Sequence, residues 1–303
     1  MAMQVTILGS NSAAPSRGRF PTAQVLNIED KLYLIDCGEG AQIQMERFNI
    51  RRSKIDYIFI SHLHGDHFFG LIGLLVTFSL NRRNKEIHIF AAPPLKQAID
   101  LLLLISNSTL TYGIIYHDIV PLNDAIIFEN NDVVVQTIAL EHRIETVGFI
   151  FREKPKLRKL IKSKIEEYAI PIAQLADLKK GIDFITNDGK IIENATLTMN
   201  PTHPKSYAFC SDTLYLENII PYIKGVDLLY HEATFLHSFV SRAEQTCHST
   251  AHQAATIAKK ADVKKLIIGH FSSRYANLTL LLDEARATFE ETYLAIEGET
   301  FII

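Results

Sequence analysis

Cysteine is scarce in this sequence: Cys37, Cys210 and Cys247 are three residues among 303. An odd and widely scattered set argues against a disulfide framework and against a thiolate zinc knuckle, so the three read as reduced thiols of a cytoplasmic protein. A run of membrane length is missing as well. The longest apolar stretch, Phe68 to Leu80, contains Thr77 and Ser79 and stops at Asn81-Arg82-Arg83. It is too short for a bilayer and predicts a buried helix. Met1 to Gly9 alternates like a strand, so no secretory leader and no membrane association are expected. There is no internal repeat, low-complexity tract or Gly/Ser linker to mark a boundary. A single domain over 1–303 is therefore expected, with 47% hydrophobic residues to fill its core.

What is present is a mixed pattern. Strand-like runs recur at Gln4–Leu8, Leu32–Ile35, Tyr57–Ile60, Ile87–Phe90 and Val133–Leu140, and again at Ser206–Cys210, Leu228–His231 and Lys264–Ile268. Helical patterns lie between several of them, Thr250–Lys260 being amphipathic. The class is α/β or α+β, with helices covering sheets on both sides. One segment departs from this pattern. Residues 152–183 lose apolar density, contain Pro155 and Pro171, and carry nine Lys or Arg against five Asp or Glu in a chain of net charge -3. They read as an inserted, projecting basic arm on an acidic body, either a solvated helical face or a contact for nucleic acid.

The densest chemistry lies at Ser61-His62-Leu63-His64-Gly65-Asp66-His67, between an apolar strand and an apolar helix. In an extended segment residues two apart point the same way, so His62 and His64 can grip one metal ion while Asp66 and His67, at the helix start, face a second. Imidazoles with a hard carboxylate suit zinc, and manganese or iron could use the same ligands. Further candidates follow other apolar strands: His142, Asp212 and His270.

With these later ligands the run resembles the metallo-β-lactamase superfamily, which implies a four-layered αβ/βα sandwich. Within it, His231-Glu232-Ala233-Thr234 and His248-Ser249-Thr250 are similar to two motifs of the ribonuclease Z family, as are Gly9-Ser10-Asn11-Ser12 and Gly269-His270-Phe271-Ser272-Ser273-Arg274-Tyr275. The resemblance implies two zinc ions, one on His62, His64 and His142, the other on Asp66, His67 and His270, with Asp212 bridging. It further implies Asp66 as general base, His248 as proton donor partnered by Glu232, and Arg274 on a phosphate. The expected reaction removes the 3′ trailer from precursor tRNA by hydrolysis after the discriminator nucleotide, leaving a 3′ hydroxyl on the tRNA. The expected assembly is a homodimer in which one subunit's arm holds tRNA that the other cuts. Leu178-Lys179-Lys180-Gly181 and Asp188-Gly189-Lys190 look like the closing part of that arm, with Lys179 and Lys180 on backbone phosphates. The early loop Pro15-Ser16-Arg17-Gly18-Arg19-Phe20 keeps positive charge at Arg17 and Arg19 for RNA but has Phe20 where relatives have a polar residue, so handling of CCA ends does not carry over. A zinc phosphodiesterase acting on small esters or cyclic nucleotides would use the same metals without needing a basic arm.

Overall fold

In a computed structural model that describes residues 3–303, two seven-stranded sheets form the framework of the larger part of the chain. The first holds β1 (Gln4–Gly9), β2 (Ala23–Ile28), β3 (Lys31–Cys37), β4 (Ile55–Phe59), β5 (Ile87–Ala91) and β6 (Ile114–Asp118). The second is built from β7 (Ile126–Glu129), β8 (Val133–Leu140) and β9 (Thr146–Glu153). After a segment with the short strands β10 (Lys159–Leu160), β11 (Phe184–Ile185), β12 (Ile191–Ile192) and β13 (Thr198–Met199), it continues with β14 (Ser206–Cys210), β15 (Leu228–Glu232), β16 (Leu266–Gly269) and β17 (Thr292–Leu294). The last strand, β18 (Thr300–Ile302), returns to pair antiparallel with β1. The strand orders are β18-β1-β2-β3-β4-β5-β6 and β17-β16-β15-β14-β9-β8-β7.

Period-two alternation explains why both faces of the first sheet are buried. Tyr33 and Ile35 of β3 point into one core, with Phe59 and Phe90, while Leu32 and Leu34 point into another with Ile58. The first core lies between the sheets, where Phe59 stacks on Phe90 at 4.6 Å between centroids and meets Phe151 edge-on at 5.2 Å. The second lies under the helices Leu71–Leu80 and Pro94–Ile105. Ala254, Ala255 and Ala258 of the helix Ala251–Lys260 pack against the second sheet. Helix, sheet, sheet and helix thus form the layers.

The helix expected over Phe68–Leu80 is broken. A short helix, Gly65–Phe68, carries Asp66 and His67, and a separate one begins at Leu71. At the break, Gly70 N–H donates to Cys37 O at 2.9 Å, and a Cβ on Gly70 would lie 2.2 Å from Gly38 O. That close approach bends the chain.

The chain divides into two compact units, one running to Arg152 and from Lys205 to Ile303, the other Glu153–Pro204. The smaller unit has its own apolar cluster of Ile170, Leu178, Phe184, Ile192 and Leu197. Asn194 ties it together by donating to Leu178 O and Ile182 O, each at 2.8 Å. It is longer than the 152–183 range suggests. Its full length carries nine Lys or Arg against seven Asp or Glu, so it is less basic than its first thirty residues.

Candidate metal centre and active site

Strand ends deliver the side chains of a cleft of about 480 Å³. His62 and His64 follow β4, His142 follows β8, Asp212 follows β14, Glu232 closes β15 and His270 follows β16. The last three are level because β14, β15 and β16 are parallel, with Cys210 opposite His231 and Glu232 opposite Gly269.

The donor atoms form two principal groups, His62, His64 and His142 with Asp212, and Asp66, His67 and His270, and a third of Asp212, His248 and His270 overlaps them. In the first, His64 Nδ1 lies 3.0 Å from His62 Nε2 and 3.1 Å from His142 Nε2. Two nitrogens on one tetrahedral ion stand about 3.3 Å apart, so these separations suit a shared ion. Asp212 faces both groups. Its Oδ2 is 3.7 Å from His62 Nε2 and 3.7 Å from His142 Nε2, and its Oδ1 is 3.5 Å from His67 Nε2 and 3.2 Å from His270 Nε2.

The far nitrogens of these rings are held from behind, which fixes ring orientation. His67 Nδ1 pairs with Asp36 Oδ2 at 2.7 Å, His142 Nδ1 donates to Cys247 O at 2.7 Å, and Ser61 Oγ and Thr234 Oγ1 sit 3.1 and 2.9 Å from Nδ1 of His62 and His270. Asp36, Cys247 and His270 all adopt left-handed backbone (φ 55, 55 and 59°), local strain that the surrounding packing sustains.

Two observations fit a cation here. His67 Nε2 and Asp212 Oδ1 are buried yet make no hydrogen bond, which is costly unless something else satisfies them. In addition, the carboxylates Asp36, Asp66 and Asp212 converge in a place with little water, and buried negative charge needs a positive partner. Burial opposes a charge on His67, but Asp212 and Asp36 outweigh it and hold that ring's pKa well above the usual histidine value. Burial pulls His62 well down and lowers His142, keeping both in the neutral form that ligates metals.

Beside the donor groups, Glu232 is fully buried and accepts hydrogen bonds from Thr213 N, Ser249 N, Thr234 N and Thr234 Oγ1 at 2.8–3.1 Å. His248 Nδ1 also donates to it at 2.8 Å. Burial disfavours a proton on His248, but Glu232 prevails and raises its pKa to about 9. The ring is thus protonated at neutral pH. With Nδ1 committed to Glu232, Nε2 is left for the cleft that His248 lines.

Asp66 Oδ2 accepts the Ala13 N–H at 2.7 Å. That amide belongs to the early loop, which is fastened to the segment after His270 through Ser12 N–H to Phe271 O and Phe271 N–H to Ser10 O. Arg17 and Arg19 strengthen the same seam. Arg17 donates to Ser273 O at 3.0 Å, and Arg19 to Asn11 Oδ1 at 3.1 Å and Tyr275 O at 2.9 Å. Arg274 lies over Phe235 and Phe239, 5.0 and 4.7 Å from the ring centres, and does not line the cleft. Lys179 and Lys180 belong to the smaller unit, Lys180 lying 3.7 Å from Asp177. Sequence reasoning passed over Asp36, Ser61, Thr234, the Cys247 carbonyl and Arg143. Asp36 had a usable signal, an acidic residue near the end of an apolar strand, as for Asp212.

The sequence family described as "Anti-Pycsar protein Apyc1" matches residues 3–166, a span that holds the 61–67 run and His142 but stops before Asp212, Glu232, His248 and His270. "Ribonuclease Z" of Bacteroides fragilis is 44% identical over 295 residues, 97% of each chain. Among solved structures, the short form of human tRNase Z superimposes with a TM-score of 0.73 at 28% identity over 99% of both chains. A metallo-β-lactamase fold protein from Bacillus subtilis, YhfI, gives 0.68 at 17% identity over 99% of both and shows the shared fold. Since the likeness to the B. fragilis protein runs on through the second-half motifs that surround the cleft, this chain, whose first half also fits the Apyc1 pattern, belongs to the ribonuclease Z family.

Proposed function

We propose that the chain is a zinc-dependent endoribonuclease that removes the 3′ trailer of precursor tRNA, hydrolysing the phosphodiester after the discriminator nucleotide and leaving a 3′ hydroxyl on the tRNA. The observation that carries this reading is the pairing of two donor groups sharing Asp212 with a His248 ring held at 2.8 Å by buried Glu232. The alkoxide that leaves from phosphorus when an RNA phosphodiester is hydrolysed needs a proton, and such a pair is suited to supply it.

His62, His64 and His142 would hold one zinc ion and Asp66, His67 and His270 a second, with Asp212 reaching both. When bound, the ions supply positive charge against the phosphoryl oxygens and acidify the attacking water. The chain's own groups do the rest. Asp66, aimed by the Ala13 N–H, accepts the proton of the attacking water. His248 gives its Nε2 proton to the departing 3′ oxygen, and Glu232 keeps Nδ1 bonded so that the imidazole stays correctly turned.

The unit Glu153–Pro204 serves as the tRNA-holding arm, Lys179 and Lys180 meeting backbone phosphates, with Arg17, Arg19 and Arg274 around the 3′ end. The enzyme works as a homodimer in the cytoplasm. Exposed Leu80, Leu101, Leu104 and Ile105 support a protein contact of that kind, and among the described residues no helix is long and apolar enough to cross a membrane. The test is cleavage of a 3′-extended pre-tRNA by purified protein, with metal assayed and Asp66→Ala alongside. A single cut after the discriminator, lost in the variant, with about two zinc ions per chain, is expected. Intact pre-tRNA beside hydrolysed bis(p-nitrophenyl) phosphate would place the chain among small-diester phosphodiesterases instead.

A further inference from the structure

We infer that Arg143 is the cleft's phosphate clamp, gripping the RNA backbone at the phosphodiester next to the scissile one on the side of the leaving 3′ oxygen. This rests on the reading of the chain as an RNA-cleaving enzyme. Among the described residues that line the cleft, Arg143 is the one Lys or Arg. The other arginines nearby do not line the cleft: Arg17 and Arg19 donate to carbonyl and amide oxygens of the seam, and Arg274 lies over two phenylalanine rings. Arg143 is exposed, and among the described residues no hydrogen bond or ion pair engages its guanidinium. A planar cation with five donors beside an active site is suited to phosphate oxygens.

Its position selects which phosphate. Arg143 follows His142 directly, and the His142 ring lies 5.0 Å from that of His248, the group placed on the leaving oxygen. His142 is in turn fixed by the carbonyl of Cys247, the neighbour of His248. The segment that carries Arg143 is therefore tied to the one that carries His248, and the guanidinium is near enough to both His64 and His248 for its charge to disfavour a proton on each. The reacting phosphate is already surrounded by the donor groups, His248 and Asp66. What lies within reach of Arg143 at the exposed lip is the backbone of the tRNA body just before the cut. Contact there carries no sequence information and fixes register.

The experiment compares Arg143→Ala and Arg143→Lys with the unaltered chain on a 3′-extended pre-tRNA and on bis(p-nitrophenyl) phosphate, which has no second phosphate, with thermal unfolding as a check on folding. Arg143→Ala is expected to raise KM for pre-tRNA by about ten- to a hundredfold, at least tenfold more than its effect on the small diester. It should also flatten the dependence of log(1/KM) on log salt by roughly 0.7–0.9. Arg143→Lys should recover part of the loss by restoring the charge without the fork. Equal losses on both substrates, or no change on pre-tRNA, would overturn the inference. If the unaltered chain hydrolyses the small diester but leaves pre-tRNA whole, the nuclease reading falls instead.

Discussion

At the scale of single residues, the site divides into groups that face the substrate and groups that hold them. His248 is the clearest of the first kind. Removing it as His248→Ala takes away the proton for a departing alkoxide, and kcat on pre-tRNA is expected to fall by about 10²- to 10⁴-fold with little change in KM. Bis(p-nitrophenyl) phosphate releases a stable phenolate that needs no proton, so hydrolysis of that ester should fall far less. Equal loss on both substrates would remove His248 from the donor role. Asp36 belongs to the second kind. It accepts from Ser61 N–H at 2.7 Å and Ser61 Oγ at 2.9 Å while bonded to the His67 ring, so one carboxylate orients a ligand and the turn that follows β4. Asp36→Ala is expected to weaken metal binding by about 10- to 100-fold, read by competition with a chromophoric chelator. Unchanged affinity would show that His67 is oriented without it. Most candidates of the first kind, Arg143 apart, stand out in the sequence, because histidines and acids at strand ends form a pattern of residue types. The second kind does not. Asp36 lies 31 positions from His67, and Cys247 acts through a carbonyl that every residue possesses, so only the fold reveals them.

At the scale of elements, the strand readings held where alternation was strong. Val133–Leu140 and Ser206–Cys210 were expected with their observed bounds, since each is a β-branched or aromatic run closed by a polar turn. The apolar run after His67 was harder to read, because nothing local distinguishes one helix from two. The break depends on Gly70 meeting the chain at Cys37 and Gly38, a long-range approach. The helix after His248 was better marked. Thr250 caps it with its Oγ1 accepting from Gln253 N–H at 3.2 Å, while Gln253 Oε1 accepts Thr250 N–H at 2.9 Å. That reciprocal pair ends the segment carrying His248 and Ser249, so the helix start also sets where His248 stands. Thr250→Ala should cost about 1 kcal/mol of stability, measured as a shift in urea midpoint at fixed metal concentration, and Thr250→Ser should retain most of it. No shift in Thr250→Ala would mean that packing of Ala251, Ala254 and Ala255 holds the helix without its cap.

At the scale of the whole molecule, the metal centre and the inserted unit are separable in construction. All seven candidate ligands, with Glu232 and His248, belong to the unit that runs to Arg152 and resumes at Lys205. The insertion leaves and rejoins that unit at neighbouring points. β9 and β14 pair antiparallel, with Arg152 opposite Ser206, so a tight turn can replace everything between them without moving either strand. The insertion also has an apolar cluster of its own, Ile170, Leu178, Phe184, Ile192 and Leu197. Charge and proline in the sequence mark a segment over 152–183, whereas the smaller compact unit runs on to Pro204. The later part, Phe184–Met199, supplies Ile192, Asn194 and Leu197 and looks strand-like, as its surroundings do. Replacing residues 153–205 by an Asn-Gly turn should therefore leave a folded protein that binds metal and hydrolyses bis(p-nitrophenyl) phosphate at a rate within a few-fold of the full chain. If the proposed arm holds tRNA, the shortened chain's kcat/KM on pre-tRNA should drop by at least tenfold, because phosphate contacts by lysines would supply much of the affinity for a large polyanion. Raising the salt concentration should then weaken the shortened enzyme less than the full one. Full pre-tRNA cleavage by the shortened chain would assign tRNA binding to the cleft and its rim, and deny the arm a part in it.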